Sequence, residues 1–425
     1  MENLDKIWIL NHYASSDYID KGGRHYWISK YLKQYGYSPV VFCCNKVHNT
    51  DKFCFHNNEL ANEETDETIN VPFVFLKGRD YKGNGKNRVL NMVDFYINLK
   101  KYAVEYAKKN GNPDIIYASS VHPLTLVAGI QLAKKFGVKC VCEVRDLWPE
   151  SIVSVGIATK ENPLVKALYV LEKWTYKNCD ALITTFEGGY DYIIEKRYTD
   201  IVPKSKYYYI NNGIDLEVFD ENAKNNKICD VDLDLEDSFK VIYTGSLRMA
   251  NGLEQLLGCA KELLSYPQIQ FLIYGAGDLM GEIEDRVKRE KLKNVCMKGT
   301  VEKKYVPYIL SKGSVNMLNY NTTAAAAALY KYGSSQNKLF EYLASGKPII
   351  SNTEIGYDII KKYQCGISKN MWDDKTYADA LLALYQSDKK TYKTMCENAR
   401  NAAYEFDFKT HTKKLIEIFR STMCK

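Results

Sequence analysis

In the first half of the chain, short apolar runs alternate with amphipathic stretches. Residues 7–10 and 39–44 are continuous apolar runs of strand length, and residues 23–34 between them carry apolar side chains at helical spacing. Residues 114–118 and 138–144 repeat this around a helix predicted over 124–136, and 163–178, 181–185 and 189–196 continue as helix, strand and helix. Uninterrupted apolar strands alternating with helices predict βαβ units, and therefore a parallel sheet covered on both faces. A second series begins at residue 239, with strands over 241–243, 270–274, 295–298 and 314–318 and a helix over 253–264. Between the two series, residues 221–237 are polar and poor in aromatics, as a domain junction would be. The expected organisation is a domain over 1–204, a junction over 205–238, a domain over 239–405, and an amphipathic helix over 406–425 that crosses back to the first domain.

Ligands of doubly wound sheets gather at the carboxyl ends of the strands, so the residues there carry the candidate chemistry. The first strand is followed by Asn11-His12-Tyr13 and a loop ending Gly22-Gly23-Arg24-His25, where two glycines let a ligand approach the N–H groups of a helix start. His122 follows Ser119-Ser120, and Glu143, Arg145 and Asp146 crowd the end of a central strand, where each charge needs a partner or a ligand. In the second series the strand ends give a loop from Gly245 to Gly252 containing Arg248, then Gly275-Ala-Gly277, then Gly299-Thr300-Val301. Taken singly, a tight turn, a structural histidine and an Arg–carboxylate network explain these features equally well.

The stretch from Gly333 to Pro348 is the most informative. Ser334 or Ser335 suits an N-cap, Leu339, Phe340, Leu343 and Ala344 form a buried stripe, and Gly346 with Pro348 ends the helix. Asn337, Lys338 and Glu341 then share the polar face, beside the positive end of the helix dipole. That face suits a sugar nucleotide: a helix start and Lys338 for a diphosphate, and Glu341 for the vicinal hydroxyls of a ribose. An amphipathic helix with a solvated polar face is the plain alternative.

Composition narrows the setting. Hydrophobic residues make up 46% of the 425 and charged residues 26%, as in ordinary globular proteins. The twelve cysteines include no Cys-x-x-Cys pair, which predicts reduced thiols in a cytosol. No apolar segment reaches the ~18 residues needed to span a bilayer. Residues 77–109 hold nine basic residues against three acidic, so the whole net charge of +6 sits there. With Phe95, Tyr96, Ile97 and Leu99 among them, this segment offers either a contact for anionic lipid or a solvated helix face. Nucleic acid is not an expected partner. A run of five alanines at 324–328 is out of character with its surroundings, as a low-complexity loop or an engineered replacement would be.

Assembled in this order, Gly22-Gly23-Arg24-His25-Tyr26, Glu143-Val-Arg-Asp-Leu-Trp-Pro149, the Gly245–Gly252 loop, Gly275-Ala-Gly277 and Asn337-Lys-Leu-Phe-Glu-Tyr-Leu-Ala-Ser-Gly-Lys-Pro348 resemble family 4 of the retaining, nucleotide-sugar-dependent glycosyltransferases. The resemblance covers nearly the whole chain and is nearest to bacterial enzymes that build O-antigen and capsule repeat units on undecaprenyl diphosphate. It implies an α/β protein of two facing Rossmann-like doubly wound domains with an interdomain cleft, the GT-B type. It further implies that Glu341 binds the donor ribose, that Lys338 and Asn337 contact the diphosphate in a motif that includes Leu339, and that Thr300 and Val301 flank the base. Gly22, Gly23, Gly245, Arg248, Gly275 and Gly277 complete the expected donor side. Asp146 and Arg145 match the acceptor side, with His12, His25 and Glu143 nearby, and His122 joins the catalytic group. The family's usual Glu falls on Gly333, and its usual Arg and Lys in the second-domain glycine loop fall on Ser246 and Asn251.

The implied activity is metal-independent transfer, with retention, from a UDP-sugar in preference to a GDP-sugar. The implied acceptor is a lipid-linked or oligosaccharide glycan in surface polysaccharide synthesis, at the inner face of the plasma membrane. No cofactor is expected. A UDP-sugar epimerase of the same architecture and a non-catalytic membrane-associated scaffold are the rival expectations.

Overall fold

Strand β1 (Lys6–Leu10) is buried at four of its five positions because both its faces are covered. Ile7 and Ile9 belong to one apolar layer. Trp8 stands on the opposite face, its ring centred 5.0 Å from Phe42 and 5.3 Å from Phe136. The computed structural model describes residues 5–48, 50–56, 58–83, 85–154, 156–321, 330–371 and 373–424, and the alanine run at 324–328 lies outside them. The chain divides into two units, residues 1–211 with 408–425, and residues 212–407.

In the first unit β1 is joined by β2 (Ser38–Cys44), β3 (Ala61–Asp66), β4 (Val71–Leu76), β5 (Ile115–Ser119), β6 (Lys139–Val144), β7 (Ala181–Thr184) and β8 (Tyr207–Tyr209). Their order is β3-β4-β2-β1-β5-β6-β7-β8, parallel throughout except for the antiparallel β3. The chain grows outward from β1 in one direction and then returns to add β5 on its other side, so the topological switch lies between β1 and β5. The helix Phe408–Met423 packs in this unit, burying Leu415 and Phe419, the latter 5.8 Å from the Tyr117 ring.

The second unit has six parallel strands, β9 (Phe239–Thr244), β10 (Ile269–Tyr274), β11 (Val295–Gly299), β12 (Val315–Leu318), β13 (Ile349–Ser351) and β14 (Gly366–Ser368), in the order β11-β10-β9-β12-β13-β14. Its switch point falls between β9 and β12. Residues 212–238, expected as a junction, belong to this unit and include the helix Leu216–Asn225, which buries Leu216 and Phe219.

Most of the basic segment forms the helix Lys86–Asn110, in which Phe95 and Leu99 are fully buried, Tyr96 is half-buried and Ile97 is exposed. Arg79 pairs with Asp94 at 2.6 Å, and Lys82 and Lys109 also have carboxylate partners. No helix among the described residues is long and apolar enough to cross a membrane. All twelve cysteines are free thiols, seven of them buried.

Candidate functional site

The helix Asn337–Ala344 follows β12 and buries Leu339, Phe340, Leu343 and Ala344 against the sheet. It ends at Ser345, with Gly346 at φ +63° in the left-handed conformation that glycine tolerates best. Its start differs from expectation. Gln336 occupies the N-cap position and no side chain caps the helix, while the Ser335 hydroxyl accepts the Asn212 N–H at 3.2 Å. The first turn therefore presents an uncapped positive dipole end.

That end faces a cavity of about 640 Å³, lined among others by Gly245, Tyr274, Gly275, Thr300, Val301, Lys303, Asn337, Lys338 and Glu341. The volume falls within the range of small-ligand sites, ~300–1,000 Å³. Two glycines at strand ends stand on its wall. A Cβ on Gly275, where φ is +147°, would lie 1.8 Å from the Gly245 carbonyl oxygen, and one on Gly245 would come within 3.7 Å of the Lys338 Nζ. Gly277, like Gly275, allows close backbone packing, because a Cβ there would strike the Leu247 carbonyl at 2.3 Å, but it does not line the cavity.

Lys338 is held rather than loose. Its ammonium donates to Asn251 Oδ1 at 2.8 Å and to Tyr243 Oη at 3.2 Å, and lies 4.7 Å from the Tyr243 ring centre. Asn251 is fixed in turn by Nδ2 donating to the Ser246 carbonyl at 2.7 Å. Burial lowers the Lys338 pKa to about 8, with Glu341 acting weakly the other way. The Glu341 carboxylate has no hydrogen-bond partner among the described residues. Burial raises its pKa, opposed by Lys303 and Lys338. Asn337 Oδ1 accepts from Asn212 Nδ2, and Tyr342, beneath the helix, receives the Thr244 N–H at 3.1 Å and so ties the helix to the end of β9.

The structure thus gathers Gly245, Gly275, Thr300, Val301, Asn337, Lys338 and Glu341 around one cavity. It adds residues that sequence reasoning missed: Tyr243 and Asn251, which hold Lys338, and Lys303 and Tyr274 on the wall. The only available signal was position, since Tyr243 and Tyr274 stand at the ends of their strands. Besides Gly277, two further donor residues expected in this unit are placed elsewhere, and Gly22 and Gly23 belong to the first unit. Leu339 is 1% exposed within the apolar core, on the face opposite the cavity. Arg248 is exposed and does not line the cavity, so among the described residues Lys338 and Lys303 are its cations.

The remaining candidates lie in the first unit. Gly22 and Gly23 precede the helix Arg24–Gln34, but its N-terminus is already occupied: the Asp17 carboxylate accepts the His25 N–H at 3.1 Å and fills the space above Gly23. His25 Nδ1 also meets Asp17, at 3.2 Å, and burial keeps the imidazole below its usual pKa. Glu143 is fully buried and belongs to a structural network, a correction to its expected acceptor-side place. Arg24 donates to both its oxygens, and Tyr117 and Ser119 donate as well. Burial opposes ionisation, yet Arg24 outweighs it and holds the carboxyl at about 2.

At the β1/β5 switch, His12 Nδ1 and His122 Nε2 lie 2.7 Å apart, both rings buried. Burial depresses both, His122 to about 3, so the pair is neutral near pH 7. Arg145 is half-buried and Asp146 exposed beyond the end of β6. No group of three or more His, Cys, Asp or Glu side chains among the described residues is arranged to hold a metal.

Residues 26–218 match the family model Glycosyltransferase Family 4, and residues 238–387 match Glycosyl transferases group 1. The probable glycosyltransferase WbjE of Pseudomonas aeruginosa is 20% identical over 297 residues, 69% of this chain and 67% of that protein. Among solved structures, sucrose-phosphate synthase from Thermosynechococcus elongatus superposes with a TM-score of 0.72 at 16% identity, covering 99% of both chains. HepE from Anabaena in complex with UDP gives 0.67 at 14% identity, over 98% of this chain and 100% of that one. The two family matches, over residues 26–218 and 238–387, make this protein a family 4-like glycosyltransferase, and the whole-chain superpositions give its fold as GT-B.

Proposed function

We propose that the enzyme takes its sugar from a UDP-linked donor held in the cavity of the second unit, with Glu341 on the ribose and Lys338 with the helix start on the diphosphate. One observation carries this assignment. A half-buried carboxylate without a hydrogen-bond partner among the described residues stands one helical turn from a half-buried lysine, both on the wall of the same cavity. A partly desolvated acceptor pair with no protein donor, beside a cation whose protein partners are neutral, is well complemented by a ribose diphosphate. The UDP bound by HepE, which shares the fold, supports the choice of nucleotide.

In transfer, negative charge accumulates on the departing diphosphate. Lys338, already fixed by Asn251 and Tyr243, and the uncapped dipole of the Asn337–Ala344 helix oppose that charge without rearranging. A preorganised group of this kind is worth on the order of 10²–10³ in rate. Transfer with retention, a lipid-linked glycan acceptor and a role in surface polysaccharide synthesis follow from the family resemblance. Asp146 and Arg145 are our assignment for the acceptor. The test is transfer of radiolabel from UDP-sugars to a bacterial lipid extract. Labelled lipid whose glycan carries the new sugar with the donor's anomeric configuration supports the proposal, and turnover with GDP-sugars alone contradicts it.

A further inference from the structure

The helix Pro163–Asn178 buries only one narrow face. Val165, Glu172, Thr175 and Tyr176 point inward, where Tyr192 donates to Glu172 at 2.6 Å. The other side is unusual for a helix in water. Leu164 is 69% exposed and Val170 70%, and Ile157, in the turn before the helix, is 75% exposed. Ala167, also exposed, and the half-buried Leu171 and Trp174 extend Leu164 at spacings of three, seven and ten residues, a continuous apolar stripe along the helix. Beside it runs a second stripe of one sign, Lys166, Lys173 and Lys177, all exposed. None of the three has a carboxylate within ion-pair distance among the described residues. The helix's single acid, Glu172, faces the interior, so every exposed charge on the helix is positive. Just ahead of it Lys160 and Glu161, both exposed, cancel. Lys134, from the neighbouring helix, adds a further cation 5.6 Å from the Trp174 ring centre.

We propose that this face is where the enzyme docks on an anionic lipid bilayer, with Leu164, Val170 and Ile157 entering the headgroup boundary and the lysine stripe lying against lipid phosphates. An exposed apolar stripe with an all-cationic flank is the signature of a helix lying in the interface plane. Scattered exposed apolar residues need no explanation, whereas a contiguous set on one helix marks an interaction surface. Charge decides the occupant: a second copy of this chain would bring the same three lysines against their equivalents, while anionic lipid complements them. Residues 77–109 serve as the comparison surface: the Lys86–Asn110 helix exposes Val89 and Ile97 but turns Phe95 and Leu99 inward, and Arg79, Lys82 and Lys109 have carboxylate partners. The inference uses the first unit alone and stands independently of the donor assignment.

The full chain is sedimented with phosphatidylcholine vesicles with and without 30 mol% phosphatidylglycerol, ~0.1 M salt keeping short-range screening moderate. Wild type binds the anionic vesicles at least tenfold more tightly than the neutral ones. Leu164→Ser/Val170→Ser and Lys166→Glu/Lys173→Glu each lose at least fivefold, while Val89→Ser/Ile97→Ser on the other helix binds as wild type. Unchanged melting temperatures and UDP affinity show that the variants are folded. Equal binding to both vesicle types, no binding, or loss confined to the Val89/Ile97 variant overturns the proposal. So does a dimer, seen by sedimentation velocity, that the Leu164/Val170 variant abolishes while vesicle binding persists.

Discussion

The Lys338 ammonium sits 2.8 Å from Oδ1 of Asn251, a neutral partner, and no carboxylate lies within ion-pair distance of it among the described residues. Burial therefore outweighs the opposing effect of Glu341 and lowers its pKa to about 8. Lysine is charged below its pKa, and a diphosphate needs the charged form. UDP affinity should thus be full near pH 7 and fall progressively as pH rises through 8. Calorimetric titrations between pH 6.5 and 9.5 read this directly. Lys338→Met should bind more weakly at pH 7 by at least tenfold and lose the inflection, and a wild-type affinity that stays flat to pH 9 would argue against this role.

Glu341 offers acceptor oxygens that no protein donor uses among the described residues. If the ribose hydroxyls use them, removing those hydroxyls and removing the charge act on one interaction and should not add. Wild type should prefer UDP over 2′,3′-dideoxyuridine diphosphate by about tenfold to a hundredfold, a charge-assisted hydrogen bond contributing ~1.5–3 kcal/mol. Glu341→Gln should weaken UDP binding and shrink that preference to within about threefold. Additive losses would place the ribose elsewhere.

In the first unit, Arg24 is 3% exposed and depends on Glu143 for its charge partner. Glu143→Gln leaves a buried guanidinium unpaired and should cost about 3–5 kcal/mol of stability, seen as a lower midpoint in urea. The folded pKa of Glu143 is depressed to about 2 from its ordinary 4.5. Its stabilisation is therefore present above 4.5 and lost as pH falls toward 2. The acid side of the wild-type stability profile should be steeper than that of the variant.

Glu172 has the opposite sign. Burial raises it to about 7, only partly offset by the hydrogen bond from Tyr192 and by Lys196. The folded state then holds a proton that the unfolded chain releases near 4.5, so its contribution declines as pH rises from 4.5 to 7. Glu172→Gln should flatten the melting temperature across that window and raise it at pH 8, and an unchanged slope would show that Glu172 ionises normally.

Much of the fold was legible because its strands are buried on both faces and so read as apolar runs, Ile7 to Leu10 being typical. The edge was not. Ala61–Asp66 is a strand with three exposed acidic or polar centres, carried by its pairing with β4, and Pro72 interrupts the apolar run of β4 itself. Within the site, helical spacing was enough to put Asn337, Lys338 and Glu341 on one face. It gave no hint that Ser335 would turn to the Asn212 backbone, or that Asp17 would occupy the helix start after Gly23, because both depend on residues distant in sequence or set by loop shape. Glu143 was ambiguous for the same reason: its partner Arg24 is 119 residues away.

The central claim is that Lys338 and Glu341 together hold the nucleotide of the donor. Calorimetric titration of UDP into wild type and into Lys338→Ala/Glu341→Gln, at pH 7.5 and with melting temperatures compared, tests it most directly. The account predicts saturable binding to wild type and at least a hundredfold loss in the folded double variant. Equal affinity in the two proteins would contradict it.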